Sequence, residues 1–259
     1  DSAAQRPSGD GHEPATVEGK VGAFYRAFMD EARVEALGAK PIAPELDAIR
    51  AARTRDELGA LMGRHVKDFE SSAFAIGLDV DTKDIAHYAI YLSQAGLGLP
   101  DRDYYLQAAF APKKAAYQAY VEKLLSLEGW PDAAGKAAAI VALESRIAEA
   151  SWTKAQERNP DATYNPYTLP ELEKAAPGFP WRAFLAAAGL GAPAKVVVVE
   201  KTAFPKIAAI YAETSVEVRQ AWLAFSVADN ASPYLSKPFA DAYFDMRQKT
   251  LSGQAEEQA

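Results

Sequence analysis

The chain has 259 residues, of which 49% are hydrophobic and 24% are charged, a balance typical of a soluble globular protein long enough to bury a sizeable core. Its net charge of -7 argues against nucleic-acid binding, because phosphate recognition needs a basic face. Cysteine is absent, which excludes disulfides, thiolate nucleophiles and cysteine-ligated metals.

The first part of the chain predicts a polar tail followed by three helices. Residues 1–16 contain two glycines and two prolines without periodicity, which is typical of a flexible tail or loop. Apolar residues at helical spacing predict one helix over about 17–37. A second helix is expected to begin near Pro44, and the capping-box pair Thr54 and Glu57 predicts the start of a third.

A β-hairpin is predicted next. Apolar and polar residues alternate over 74–80 and again over 88–92, which is the period of a strand with two unlike faces. A polar link of hairpin length, 81–84, separates the two runs. The glycines and proline of 96–100 end the second strand, and Asp101 offers a carboxylate to cap a short helix.

The remainder of the chain is predicted to be helical. The approximate bounds are 112–129, 132–154, 168–177, 181–189, 202–210, 214–225 and 239–251. Capping-box pairs at Thr168 and Thr214, each with a glutamate three residues on, support two of these helices. Four valines at 196–199 predict a lone strand. The fold class expected is therefore mainly α, a multi-helix domain with one small antiparallel β-hairpin at about 74–92.

Several segments resemble one protein family in the same order along the chain. GLGLPDRDYY at 96–105 is similar to a segment of the neprilysin and endothelin-converting-enzyme family of zinc metallopeptidases, in its bacterial secreted branch. The other matching segments are Phe24-Tyr25, Met29-Asp30, ALESRIAEA (142–150), Glu157-Arg158-Asn159, YNPYTLPEL (164–172), SPYLSKPF (232–239) and TLSG (250–253). The resemblance runs from about residue 17 to the end.

The histidines do not form the metal motif of such peptidases. A zinc peptidase typically carries two histidines one helical turn apart, with a glutamate next to the first. His12 lies in the polar tail and has no second histidine four residues on, whereas His65 is followed by valine. His87 is on the predicted hairpin, where a half-buried or solvent-facing role is the more ordinary one. We therefore predict no metal ligand and no catalytic residue in this chain.

The carboxylates that could serve acid–base chemistry or bind calcium are each expected to have a structural role. Glu144 and Glu149 are five residues apart on a helix and so point to different faces, while Asp101 and Asp103 suit helix capping. The aspartates around the hairpin turn, Asp79, Asp81 and Asp84, lack the spacing of a calcium loop.

Phosphate-loop and serine-nucleophile motifs are also missing. Gly96-Leu97-Gly98 has no third glycine and no following Lys-Ser or Lys-Thr, and no GxSxG occurs. Core packing is the expected role of the aromatic residues at helical spacing, with an interaction surface as the alternative. These residues are Tyr104, Tyr105, Tyr117, Trp152, Trp181 and Trp222.

The resemblance implies that residues 17–259 are the non-catalytic, helical, lid-type half of a neprilysin-like zinc metalloendopeptidase. In that family the helical half roofs a closed chamber that restricts substrates to oligopeptides. The implied partners are the C-terminal catalytic zinc domain and oligopeptides, with zinc as cofactor of the parent enzyme and none in this chain. Substrate-binding residues are not assigned by sequence.

The resemblance also implies a periplasmic or secreted bacterial protein. No apolar run approaches the roughly 20 residues of a membrane-spanning helix, and no leader begins at residue 1, so a signal would lie upstream. The alternative from another class is a free-standing helical module that binds peptides or a protein without catalysis. A His-Glu-x-x-His helix encoded downstream would distinguish the two.

Overall fold

The computed structural model describes residues 16–69 and 72–255. They form a mainly helical fold with one small sheet, which confirms the predicted class. The helices are α1 Val17–Phe28, α2 Glu31–Leu37, α3 Ala43–Ala51, α4 Arg55–His65, α5 Asp103–Leu106, α6 Ala111–Leu127, α7 Ala133–Ala150, α8 Lys154–Glu157, α9 Leu169–Ala175, α10 Trp181–Ala187, α11 Phe204–Glu213, α12 Val216–Ala231 and α13 Lys237–Tyr243, which continues into a π-helix over Phe244–Leu251. Within the described ranges, no helix is long and apolar enough to cross a membrane.

The single helix predicted over 17–37 is wrong, because the chain divides there into α1 and α2. The carboxylate of Asp30 accepts the backbone N–H of Arg33 at 3.1 Å and so begins a new helix. Thr16 caps α1 by accepting the N–H of Gly19 at 3.1 Å. Apart from Thr16, the predicted tail at 1–16 lies outside the described residues, so the prediction of a flexible tail is not tested.

Two of the three predicted capping boxes are present, at Thr54 and Thr168. The one predicted at Thr214 is wrong by one residue, since Ser215 is the N-cap of α12. The Thr214 hydroxyl instead donates to the Ile210 carbonyl at 2.7 Å, one turn back in α11. A hydroxyl that bonds back into the preceding helix is not available to cap the next one.

The sheet has four strands in the order β1-β2-β4-β3. The predicted hairpin is confirmed, since β1 (Phe74–Asp81) pairs antiparallel with β2 (Asp84–Gln94). The valine run at 196–199 is not a lone strand: β4 (Val196–Val198) pairs parallel with β2 and antiparallel with β3 (Asn165–Tyr167). Strand β3 was not predicted, because a Pro in a three-residue segment carries no strand signal.

The base of the hairpin is anchored in an aromatic cluster. Phe74, the first residue of β1, is completely buried. Its ring centroid lies 4.8 Å from that of Phe179, 4.6 Å from Trp181 and 4.6 Å from Phe204. Aromatic pairs in this range contribute beyond the area they bury, so the hairpin base is fixed to α10 and α11.

The far end of the hairpin is held by Asp81, whose side chain is buried although it is charged. Its carboxylate accepts the Lys195 ammonium at 2.5 Å, the Lys83 N–H at 2.9 Å and the Tyr164 hydroxyl at 2.8 Å. The hydrogen bond from Lys195 is the main reason that the pKa of Asp81 falls below its usual range. The hairpin is therefore fixed at both ends.

Candidate functional site

An open groove of about 590 Å³ lies at the base of the hairpin. It is formed by β1 and β2, the GLGLP loop (residues 96–100), and the turn between α7 and α8. The lining residues are Val66, Ser72, Phe74, Ala75, Ile76, Ser93, Gln94, Ala95, Gly96, Leu97, Leu99, Pro100, Asp101, Arg102, Ser151, Trp152, Lys154, Glu157 and Glu200. Two segments that carry the family resemblance, 96–105 and 157–159, thus meet at one place.

Small side chains form one part of the groove wall. Ala75 of β1 and Ser93 of β2 are register partners, so their side chains project from the same face of the sheet. The next pair on the same face, two residues along the hairpin, is Gly77 and Tyr91, so Tyr91 supplies the side chain there. The face of the hairpin toward its base therefore carries only small side chains at Ala75 and Ser93.

Gln94 connects the parts of the groove. Its side-chain amide donates to the Trp152 carbonyl at 3.1 Å and to the Glu157 carboxylate at 2.8 Å. Its side-chain oxygen accepts the Trp152 N–H at 2.7 Å. The backbone N–H of Gln94 donates to Glu200 at 2.8 Å. One residue at the end of β2 thereby fixes the α7–α8 turn and the residues after β4.

Two groove carboxylates lie close enough to influence each other. Glu200 is only 3% exposed, and burial is the main reason that its pKa rises to about 7. The negative charge of Glu157 raises that pKa further. Lys154 donates to Glu157 at 2.9 Å, and this hydrogen bond is the main cause of the raised pKa of Lys154. The charges of Asp101 and Glu200 act on Lys154 in the same direction.

The GLGLP loop is held from behind by the buried carboxylate of Glu144. The Glu144 carboxylate accepts hydrogen bonds from the hydroxyl of Tyr105 at 2.7 Å, the hydroxyl of Tyr117 at 3.1 Å and the indole N–H of Trp222 at 3.1 Å. Tyr105 also accepts the backbone N–H of Leu99 at 2.8 Å. Burial raises the pKa of Glu144 to about 7 despite these donors.

A partly buried ion pair also holds this loop. Arg247, in the π-helix, forms a two-point contact with Asp229 of α12, with nitrogen–oxygen distances of 3.0 and 2.5 Å. The guanidinium also donates to the carbonyl of Gly98. Asp229 in turn accepts the Tyr120 hydroxyl at 2.7 Å. The loop is therefore held by polar contacts on the side away from the groove.

The histidines are far from forming a ligand set. His65 is buried and lies 2.8 Å from the Glu45 carboxylate, while His87 is exposed and lies 2.8 Å from Asp84. His12 lies outside the described residues. Across residues 16–69 and 72–255, no group of three or more histidine, aspartate or glutamate side chains is arranged to hold a metal ion. These residues therefore do not fit a zinc centre.

The carboxylates singled out in the sequence have structural roles. Glu144 is buried and Glu149 exposed, as their spacing predicts. Asp101 accepts the N–H of Asp103 at 2.9 Å at the start of α5. The Asp79 carboxylate accepts the adjacent Val80 N–H at 2.7 Å.

The aromatic residues are mainly buried, as predicted. Tyr105, Tyr117, Trp181 and Trp222 are buried, whereas Tyr104 and Trp152 are half-buried. Sequence reasoning missed that Tyr105, Tyr117 and Trp222 share one carboxylate, and that Gln94 and Glu200 belong to a groove. No local pattern marks such residues, because they come from distant parts of the chain.

Comparison with known proteins decides the family. The model of peptidase family M13 matches residues 2–259. The chain belongs to peptidase family M13. Endothelin-converting enzyme-like 1 of Rattus norvegicus is 27% identical over 259 residues, covering 93% of this chain and 33% of the relative. Endothelin-converting enzyme 1 of Homo sapiens is 26% identical over 240 residues, covering 87% of this chain and 31% of the relative.

Solved M13 structures share the fold. The Mycobacterium tuberculosis zinc metalloprotease Zmp1 in complex with an inhibitor matches with a TM-score of 0.90 and 28% identity, over 100% of this chain and 39% of that one. PepO of Lactobacillus rhamnosis matches with a TM-score of 0.73 and 20% identity, over 95% of this chain and 40% of that one, and so supports the fold alone. The M13 chain described here thus spans about a third of the length of the curated relatives it matches.

Proposed function

We propose that this chain is the non-catalytic helical half of an M13 zinc metalloendopeptidase and forms the roof of a closed chamber that restricts substrates to oligopeptides. In this proposal residues 17–259 are the lid-type domain, and residues 1–16 are a tail or loop. The metal, the residues that hold it and the group that activates water belong to the C-terminal catalytic half. The helical half described here contributes steric exclusion and control of water.

The observation that carries the proposal is the apolar stripe of α1, which consists of Val17, Val21, Phe24 and Phe28. Their spacing of four, three and four residues places them on one face of the helix. All four are exposed, Phe24 by 73% and Phe28 by 63%. The rings of Phe24 and Phe28 stack on each other, with their centroids 6.3 Å apart. No described residue buries this stripe, and apolar patches of this kind mark interaction surfaces.

A second exposed apolar surface lies on the hairpin. Leu78, Val80, Ile85 and Tyr88 are exposed, and Val80 and Tyr88 are register partners, so they share one face. Because the hairpin is fixed at Phe74 and at Asp81, this face is presented in a defined position. A rigid apolar projection suits contact with a second domain better than contact with water.

The family also supports the remaining parts of the proposal. M13 includes a zinc metalloprotease among the solved relatives, whereas the described residues here do not fit a zinc centre. Zinc therefore serves as cofactor in the other half, which is the partner of this chain. Oligopeptides are the proposed substrates of the assembled enzyme. A periplasmic or secreted location follows from the bacterial branch that the sequence resembles.

Co-expression with the catalytic half of the same protein tests the proposal. The two halves should co-purify, and zinc-dependent cleavage of oligopeptides should require both. A catalytic half with its water-activating glutamate changed to glutamine is the control, since it should co-purify without activity. If the halves do not associate, and this chain alone is monomeric and stable, a free-standing binding module becomes the better account.

A further inference from the structure

One face of the hairpin is apolar from its base to its tip. Residues two apart on a strand point to the same side, so three cross-strand pairs share this face. The pairs are Ile76 with Leu92, Leu78 with Ile90, and Val80 with Tyr88. None of these side chains carries a charge, whereas the opposite face carries Asp79. We refer to the three pairs as the apolar face of the hairpin.

The apolar face is covered at the base of the hairpin and uncovered at its tip. Leu92 is completely buried, and Ile76 and Ile90 are half-buried. Toward the tip, Leu78 is 69% exposed and Tyr88 is 73% exposed. The tip therefore continues the core of the domain into solvent, as far as residues 16–69 and 72–255 show. Because the hairpin is fixed at both ends, this surface is presented in a defined position.

The exposed tip is too small to hold a separate protein. Leu78, Val80 and Tyr88 together present on the order of 300–400 Å² of surface. A stable complex buries about 800 Å² on each partner, so a second copy of this chain would not stay bound by this face. A domain of the same polypeptide needs much less contact, because a short tether gives an effective concentration of roughly millimolar. The chain spans about a third of the length of its M13 relatives, so such a domain is available.

We propose that the apolar face of the hairpin is a reversible contact with the catalytic half, made when the chamber closes and broken when it opens. The identity of the partner rests on the proposed function, whereas the reversibility rests on the small size of the face. Domains of one chain are expected to move relative to each other unless their interface is large and hydrophobic. The α1 segment suits the permanent contact better, because six large apolar side chains are exposed over residues 17–29. The surface that meets the hairpin should be apolar, since this face offers no charge to pair with a buried one.

An introduced thiol tests the inference, because this chain has no cysteine of its own. Leu78→Cys is made in the full-length protein that joins the two halves, and alkylation of residue 78 is followed by peptide mass spectrometry. The reference is Tyr234→Cys in the same protein, since Tyr234 is 73% exposed and lies outside the hairpin. A thiol beneath a reversible contact reacts only while the contact is open. We expect residue 78 to react about tenfold more slowly than residue 234, to reach completion, and to do so at a rate independent of protein concentration.

Second substitutions separate the apolar face from the rest of the hairpin. Tyr88→Ser added to Leu78→Cys should restore fast alkylation, because it removes the largest exposed side chain of the face. Asp79→Asn, on the opposite face of the same strand, should leave alkylation slow. Equal rates at residues 78 and 234, complete protection of residue 78, or protection that grows with protein concentration would overturn the inference.

The two proposals fail in different ways. Separate halves that co-purify, combined with equal alkylation rates at residues 78 and 234, would overturn the reversible contact and leave the proposed function standing. Separate halves that do not associate would overturn the proposed function itself.

Discussion

The hydroxyl of Tyr117 occupies the space that a side chain at Gly98 would need. A Cβ built on Gly98 would lie 1.8 Å from the Tyr117 oxygen and 2.6 Å from the ring carbon that carries it. Tyr117 is completely buried and donates to Glu144, so its ring has no room to move away. The close approach of the GLGLP loop to α6 therefore requires glycine at residue 98.

Gly98→Ala should destabilise the protein by about 1–3 kcal/mol, the usual cost of overpacking a core. Urea unfolding followed by circular dichroism measures the effect. Gly77→Ala is the matched control, because the nearest heavy atom to its Cβ would lie 3.9 Å away, an ordinary contact. Similar urea midpoints for the two variants would show that the Tyr117 ring moves aside to accommodate the added methyl group.

Glu128 gives the protein a pH-dependent stability. Both of its carboxylate oxygens are buried without a hydrogen-bond partner in the described structure, and burial raises its pKa to about 8. Arg50 lowers the pKa only in part. Because the folded state keeps the proton to a higher pH than the unfolded state, the free energy of unfolding should fall as the pH rises from about 4.5 to 8.

Replacing Glu128 by glutamine should remove this fall in the free energy of unfolding with rising pH. At pH 9 the variant should be more stable than wild type by on the order of 2 kcal/mol, and at pH 4 the two should be nearly equal. Chemical unfolding at both pH values measures the difference. Glu122→Gln, at an exposed position of α6, controls for the loss of one charge, and parallel pH curves for Glu128→Gln and wild type would contradict the assignment.

The parts of the fold that sequence predicted are those set by local chemistry. The hairpin has period two, and the boxes at Thr54 and Thr168 place a hydroxyl three residues before a glutamate. The break at Asp30 and the shift to Ser215 show where a neighbouring polar side chain competes for the same backbone groups.

The parts that sequence did not predict depend on contacts between distant residues. The valines of β4 find partners in β2 and β3, about 100 and 30 residues earlier in the chain. The groove likewise combines Gln94, Trp152 and Glu200, and no pattern within one segment indicates that they meet. Pairing and charge clustering are properties of the tertiary structure.

Asp81 should be the main support of the hairpin tip. Asp81→Asn removes the charge that Lys195 contacts, so amide hydrogen exchange over residues 78–88 should become faster and the melting temperature lower at pH 7. Since its pKa is lowered in the folded state, the carboxylate stabilises the protein above about pH 4, and this contribution is lost as the pH falls. The difference in melting temperature should therefore shrink at pH 2.

Asp79→Asn is the control for this experiment, because Asp79 lies two residues away on the same strand, is exposed and bonds only to the adjacent Val80 N–H among the contacts described. Asp79→Asn should leave the rates of amide hydrogen exchange in the hairpin close to those of wild type. Equal acceleration by both variants would mean that charge at the tip, and not the contact with Lys195, limits exchange.

The apolar stripe of α1 should matter for association and little for folding. Phe24→Ser combined with Phe28→Ser removes two exposed rings, so the free energy of unfolding of this chain alone should stay within about 0.5 kcal/mol of wild type, as is usual for surface changes. The same pair should weaken binding to the catalytic half by about tenfold or more, because aromatic residues dominate interface energies. Tyr234→Ser is the control, since Tyr234 is 73% exposed and lies outside both α1 and the hairpin. Titration calorimetry with the catalytic half measures the affinities, and an unchanged affinity for the double variant would place the contact surface elsewhere.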